Sequence, residues 1–203
     1  MGSWYSTARG IKRAVLKSAA ISALAALALG LAGCSAQASL PSFAVVPDFS
    51  LTDQTGADFQ SAKQLDGQVW VADFIFTNCT GPCPRMSSQM HQVQTALSNL
   101  DGVRFVSFTV DPARDTPPVL LDYSHHFMAD PNRWFFLTGT TKTLQHLSKD
   151  VFMLGDVDGQ LEHSTRFVLV DKKSRVRGFY LTSEPDAIPR VIADARRLAG
   201  DRF

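Results

Sequence analysis

Cysteine is scarce in this chain. Three occur in 203 residues, two of them four positions apart in Phe76-Thr77-Asn78-Cys79-Thr80-Gly81-Pro82-Cys83-Pro84. That scarcity excludes a small disulfide-stapled scaffold, and a domain of this length buries a full core without such staples. Long apolar runs are missing too. The Ala/Leu-rich stretch Ala19–Ala32 has 14 residues, short of the ~20 that a membrane-spanning helix needs. No internal repeat is present, which excludes a solenoid. An excess of basic charge is absent. The formal charge of +1 includes four cations in the first 33 residues, which leaves −3 on residues 34–203. A weakly acidic domain offers no electrostatic footprint for nucleic acid.

What is present begins with a leader. Arg9, Lys12, Arg13 and Lys17 precede the apolar stretch without an intervening acid. A basic start, a short apolar core and small residues at its end have the form of a secretory signal. It closes on Leu31-Ala32-Gly33-Cys34, similar to the lipobox of bacterial lipoproteins, in which the cysteine is acylated and becomes the mature N-terminus. The expected organisation is a signal peptide over 1–33, a small polar tether over 34–42 and one domain over 43–203. The domain is expected on the periplasmic side of a bacterial membrane, lipid-anchored at Cys34. Thiols there persist only as a bridge, as a maintained dithiol or as metal ligands.

Strand and helix signals alternate through the domain. Phe49–Phe59 predicts a hairpin turning near Gln54-Thr55-Gly56, and Val69–Thr77 predicts a buried central strand. Met86, Met90, Val93, Leu97 and Leu100 recur at helical spacing from Pro84 onward. Val103–Val110 reads as a strand and Pro117–Met128 as a helix. "RWFFLTG" predicts a strand, "TKTLQHLSKDV" a short helix, and "TRFVLVD" and "RVRGFYLT" a hairpin. A closing helix ends before Gly200. This order predicts an α/β fold, a mixed central sheet flanked by helices with an N-terminal hairpin. The cysteine pair at a strand-to-helix turn makes a thioredoxin-like fold the natural expectation.

Cys79 then falls in a loop and Cys83 at a helix start, with Pro84 suited to the first helical position. Helix N-termini carry unpaired N–H groups and the positive end of the macrodipole, so both thiols are expected to ionise more readily than usual. Three chemistries remain open. A passive disulfide closing so short a loop stabilises least. A redox couple usually has two intervening residues, and here there are three, Thr80-Gly81-Pro82. Two thiolates alone make an incomplete zinc site but suit Cu(I). The spacing Thr77 to Cys79 lacks the T-x-x-C of thiol peroxidases. Of the five histidines, His91, His125, His126 and His146 fall in amphipathic helices, and Met86 and Met90 fit a core face. His163 stands in the approach to a strand, in Glu162-His163-Ser164-Thr165-Arg166.

"PDFSLTDQTG" (47–56), "FTNCTGPCP" (76–84), "TVDPARDTP" (109–117) and "EHSTRFVLVD" (162–171) occur in this order. Together they resemble the Sco/SenC family of cytochrome c oxidase copper proteins over nearly all of residues 47–199. The resemblance implies a thioredoxin-like domain tethered to the membrane. It implies copper, as Cu(I) or Cu(II), held by Cys79, Cys83 and His163. The cargo would go to the dinuclear CuA site of the oxidase's copper-binding subunit or to another periplasmic copper protein. Asp111 matches an acidic family position near the site, with a plain turn residue as the alternative. Arg114-Asp115-Thr116-Pro117 match as well and read as a helix entry, with Asp115 or Thr116 as N-cap. The family commonly has proline after the first cysteine. Thr80 stands there instead and restores an N–H donor that could tune the thiols. The alternative function is a thiol–disulfide oxidoreductase, using Cys79 and Cys83 as a redox pair to keep a partner's copper-ligand cysteines reduced.

Overall fold

The computed structural model describes residues 39–154 and 165–200. Seven strands form one mixed sheet in the order β2-β1-β5-β4-β3-β6-β7. The strands are β1 (Ser50–Asp53), β2 (Asp58–Gln60), β3 (Val69–Ile75), β4 (Val103–Thr109), β5 (Trp134–Thr138), β6 (Arg166–Val170) and β7 (Val176–Leu181). The helices are α1 (Ser61–Gln64), α2 (Pro82–Ala96), α3 (Pro117–His126), α4 (Thr141–His146), which runs on into a π-helical turn over Leu147–Val151, and α5 (Ala187–Ala199). β3, β4 and β5 are parallel. β6 runs antiparallel to β3, and the hairpin β1–β2 joins the far edge through β5. The mixed sheet, its flanking helices and the N-terminal hairpin all agree with the expectation.

Alternation along the strands divides the core in two. Trp70, Ala72 and Phe74 of β3 face one side, with Val106 and Phe108 of β4, and pack under Leu144, Leu147, Val151 and Phe152. Val69 and Val71 face the other, under Met86, Met90 and Val93 of α2 and Val191 and Ala195 of α5. A strand buried on both faces needs a nearly continuous apolar run, and all seven residues of β3 are buried. One of them, Asp73, is a carboxyl.

One boundary differs from the sequence reading. α2 starts at Pro82, not Pro84, with Gly81 as N-cap. Pro82 takes the first position, and Pro84 is tolerated two places on because the N–H groups of the first turn have no intrahelical acceptor. Leu40 and Pro41 are bonded to β7. Arg177 donates from Nη2 to the Leu40 carbonyl and from Nε to that of Pro41, while its Nη1 pairs with Asp171 at 2.7 Å. Burial alone would raise the Asp171 carboxyl, but hydrogen bonds from Arg175, Arg177 and the backbone outweigh it and hold it at about 2. A depressed carboxyl stabilises the fold above its unfolded value near 4, and that contribution fades as pH falls toward 2. Asp171→Asn should therefore cost about 2 kcal/mol at pH 7 and little at pH 2, as read by urea melts at the two pH values. An equal loss at both would contradict the ionic origin.

Candidate functional site

The site forms where β3 ends. Its ladder closes at Ile75, and the chain turns through Phe76–Thr80 into α2. The Cys79 N–H donates to the Phe76 carbonyl at 3.3 Å. This places Cys79 over the helix start, while Cys83 is the second residue of α2. Neither is in a disulfide. They pack with Ile75, against Phe76 and Tyr123, and are 9% and 0% exposed. Their side chains interact directly. The structure thus brings the predicted pair together, with Cys79 at the rim and Cys83 beneath it.

The expectation of two easily ionised thiols fails for Cys83. Burial pushes its thiol well above the usual cysteine range, and the hydrogen bond with Cys79 pushes the same way. The backbone contact with Phe76 opposes them only in part. Cys83 does lie in the first turn of α2, but desolvation of the charged form exceeds what the helix end returns.

Asp115 is the first of two residues that sequence reasoning missed. The sequence pattern suits it to a cap, but Thr116 occupies the N-cap position of α3, and the fully buried Asp115 side chain turns back to the strand ends. Thr77 donates to it from both its backbone N–H and its hydroxyl, the latter at 2.5 Å to Oδ1. The Thr109 hydroxyl donates to Oδ2 at 2.5 Å. Asp111 lies in the same loop. Its N–H donates to Thr109 Oγ1 at 2.9 Å, and its carboxylate pairs with Arg114 at 3.0 Å.

Asp73 is the second missed residue. It sits on the face of β3 that carries Val71 and Ile75, one pleat from the cysteine cluster. Ser107 donates to Asp73 Oδ1 at 2.6 Å, and the Trp134 indole N–H donates to Ser107 at 2.9 Å. Asp73 Oδ2 has no hydrogen-bond partner among the described residues. Burial raises this carboxyl to about 7, against a smaller lowering by the Ser107 hydrogen bond. A charged residue inside "VWVADFIFT" was the available signal.

The remaining candidates divide. His125 and His126 are exposed at the end of α3. His146 pairs with Asp150 at 2.8 Å, and His91 lies near Gln94 and Thr95. Met86 and Met90 are fully buried in the core. His163 and Cys34 lie outside the described residues. Among the described residues no three His, Cys, Asp or Glu side chains group as a metal site. Two adjacent sulfur donors are a fitting pair of ligands for a soft ion, with room in the coordination for a third donor. The antiparallel pairing of β6 with β3 brings the start of β6 to the sheet end where β3 closes.

Comparison with known proteins places these features. The family model described as SCO1/SenC matches residues 37–200. The crystal structure of a SCO1/SenC family lipoprotein from Bacillus anthracis strain Ames is 37% identical. It aligns with a TM-score of 0.70 over 77% of this chain and 95% of that one. BsSco, a member of the Sco family of cytochrome c oxidase assembly proteins in which a disulfide switch was identified, is 29% identical. Its TM-score is 0.71 over 82% of this chain and 99% of that one. Bradyrhizobium japonicum ScoI with copper bound aligns with a TM-score of 0.63 over 76% of this chain and 99% of that one. At 24% identity that likeness bears on the fold alone.

Proposed function

The chain belongs to the SCO1/SenC family, and on that premise we propose that it is a lipid-anchored, extracytoplasmic copper carrier. Its cargo is destined for assembly of the CuA site of cytochrome c oxidase. The observation that carries this reading is the adjacent dithiol pair Cys79 and Cys83, nearly sealed from solvent at the end of β3. Cys79, Cys83 and His163 would hold one copper. The two thiolates suit Cu(I), and the imidazole widens tolerance toward Cu(II). Release proceeds by exchange of these ligands for the recipient's within a docked complex. The ligands bind deprotonated, so loading expels protons and affinity falls as pH drops.

The membrane part of the proposal rests on the sequence up to Cys34. No described helix is long and apolar enough to cross a membrane. Cells fed radiolabelled palmitate should incorporate the label into the wild type and not into Cys34→Ala. Equal labelling, or none in the wild type, would refute the lipid anchor.

Contact between the two thiols favours a second reading, thiol–disulfide exchange. One thiolate attacks a partner disulfide and forms a mixed disulfide. The other then displaces the partner's sulfur, so two electrons pass to the partner, which leaves as a dithiol. Cys79 is the attacking group because it keeps some exposure, and Cys83 resolves. Iodoacetamide at pH 7 should alkylate Cys79 at least ~10-fold faster than Cys83, because each unit of raised pKa removes tenfold of thiolate. Peptide mapping by mass spectrometry measures both rates, and equal rates would contradict the assignment.

Mixing Cu(I)-loaded protein with a metal-free oxidase copper subunit separates the two functions. Copper leaving the carrier and appearing in the subunit supports delivery. Reduction of the subunit's disulfide without copper movement supports the oxidoreductase.

A further inference from the structure

We infer that Asp115 is the positioning residue of the cysteine pair, the clamp that holds the Cys79 loop in register with Cys83. The inference rests on the reading of Cys79 and Cys83 as a working dithiol.

The two sulfurs are positioned by unlike means. Cys83 is part of α2 and fully buried, so the helix and core fix it. Cys79 lies in a five-residue turn past the end of the β3 ladder, where strand pairing no longer orders the backbone. Val110 N–H to Ile75 carbonyl, at 2.8 Å, is the last bond of that ladder toward β4. Two residues on, the Thr77 N–H would have no strand acceptor, and Asp115 supplies one.

The same carboxyl takes the Thr77 and Thr109 hydroxyls, so a single buried group ties the Cys79 turn to the end of β4. Asp115 is itself held. Its N–H donates to the Asp111 carbonyl at 2.9 Å, and Thr109, which it engages, also takes the Asp111 N–H. The clamp therefore spans both loops that flank the thiols. Exposed Arg114 bonds Asp111 and leaves the clamp to the two threonines.

The consequence is chemical as well as mechanical. A disulfide needs Cβ atoms about 3.8 Å apart, and a shared metal needs both sulfurs within one coordination sphere. Either product forms in proportion to the effective concentration of Cys79 at Cys83. A freed turn lowers that concentration for both. Outer partners of this kind typically contribute 10- to 100-fold to metal affinity.

Asp115→Asn tests this, because its amide keeps the volume but cannot accept at the nitrogen position. Thr77→Val and Thr109→Val each remove one hydroxyl donor and stand in if Asp115→Asn does not fold. Two quantities are read on the folded full-length protein. One is Cu(I) affinity against a competing chelator. The other is the equilibrium with glutathione, in which dithiol plus glutathione disulfide gives protein disulfide plus two glutathione.

Copper affinity is expected to fall 10- to 100-fold. The disulfide equilibrium constant should fall about tenfold, a potential about 30 mV higher. A residue that merely stabilises the fold would lower the melting temperature and leave both quantities unchanged in the folded protein, and that result overturns the inference. If the wild type binds no copper, the copper reading fails by itself. The potential then decides, with a rise supporting the clamp and no change refuting it.

Discussion

Cys83→Ser should abolish useful copper binding. The fall in Cu(I) affinity should exceed about a hundredfold, beyond what outer-shell substitutions produce. The argument begins with packing. Cys83 is fully buried beside Ile75 and Cys79 at the second position of α2. Serine is close in size and tolerated in a first helical turn, so the fold should survive. The chemistry does not survive, because a hard hydroxyl replaces a soft thiolate, and Cys79 alone cannot hold the ion in a protein with no other described metal cluster. Met86→Leu is the matching control. Its thioether is sealed in the core under β3, so a volume-conserving swap should leave affinity within about threefold while costing less than ~1.5 kcal/mol of stability. Comparable losses in both variants would mean that the helix, not the thiol, matters.

The second large effect concerns Asp73 and the pH dependence of folding. Its carboxyl is raised by burial from 3.8 to about 7 in the folded protein. The sign follows from proton counting. Below about pH 4 folded and unfolded chains both hold the proton, and Asp73 costs nothing. Between about 4 and 7 only the folded chain holds it, so stability falls as pH rises. Above about 7 both are ionised and the penalty is complete, on the order of 4 kcal/mol. Asp73→Asn mimics the neutral acid at every pH and should remove this decline. The amide leaves its N–H groups facing the position where Oδ2 now lacks a partner, which costs about 1–3 kcal/mol, independent of pH. The slope of stability against pH between 5 and 8, from urea denaturation of both proteins, is therefore the proper readout. Identical slopes would show that Asp73 is ionised at little cost.

Much of this was written in hydrophobic periodicity. The β3 run, the 86–90–93–97 spacing of α2 and the glycine after α5 each reflect a local rule, and Gly200 closes its helix at φ 91° as such a rule requires. The cysteine turn was legible because a strand signal and a helix signal meet there. Three features were not legible, each for a physical reason. The raised Cys83 thiol depends on burial, part of which comes from Tyr123 of α3, distant in sequence. Asp115 carries a helix-entry pattern, and only the tertiary approach of Thr77 and Thr109 shows where its oxygens point. Asp73 stood in plain sight, but its partner Ser107 comes from the adjoining strand through register alone. His163 remains a proposal from the resemblance and from the direction of β6.

The most direct test of the account is a Cu(I) titration of the reduced protein against a competing chelator, with His163→Ala beside the wild type. The account predicts one copper per chain and an affinity at least ~10-fold weaker in the variant, since a lost ligand exceeds a lost outer-shell contact. Weak binding by both, or equal binding by both, would contradict a three-ligand copper site and leave Cys79 and Cys83 as a redox pair.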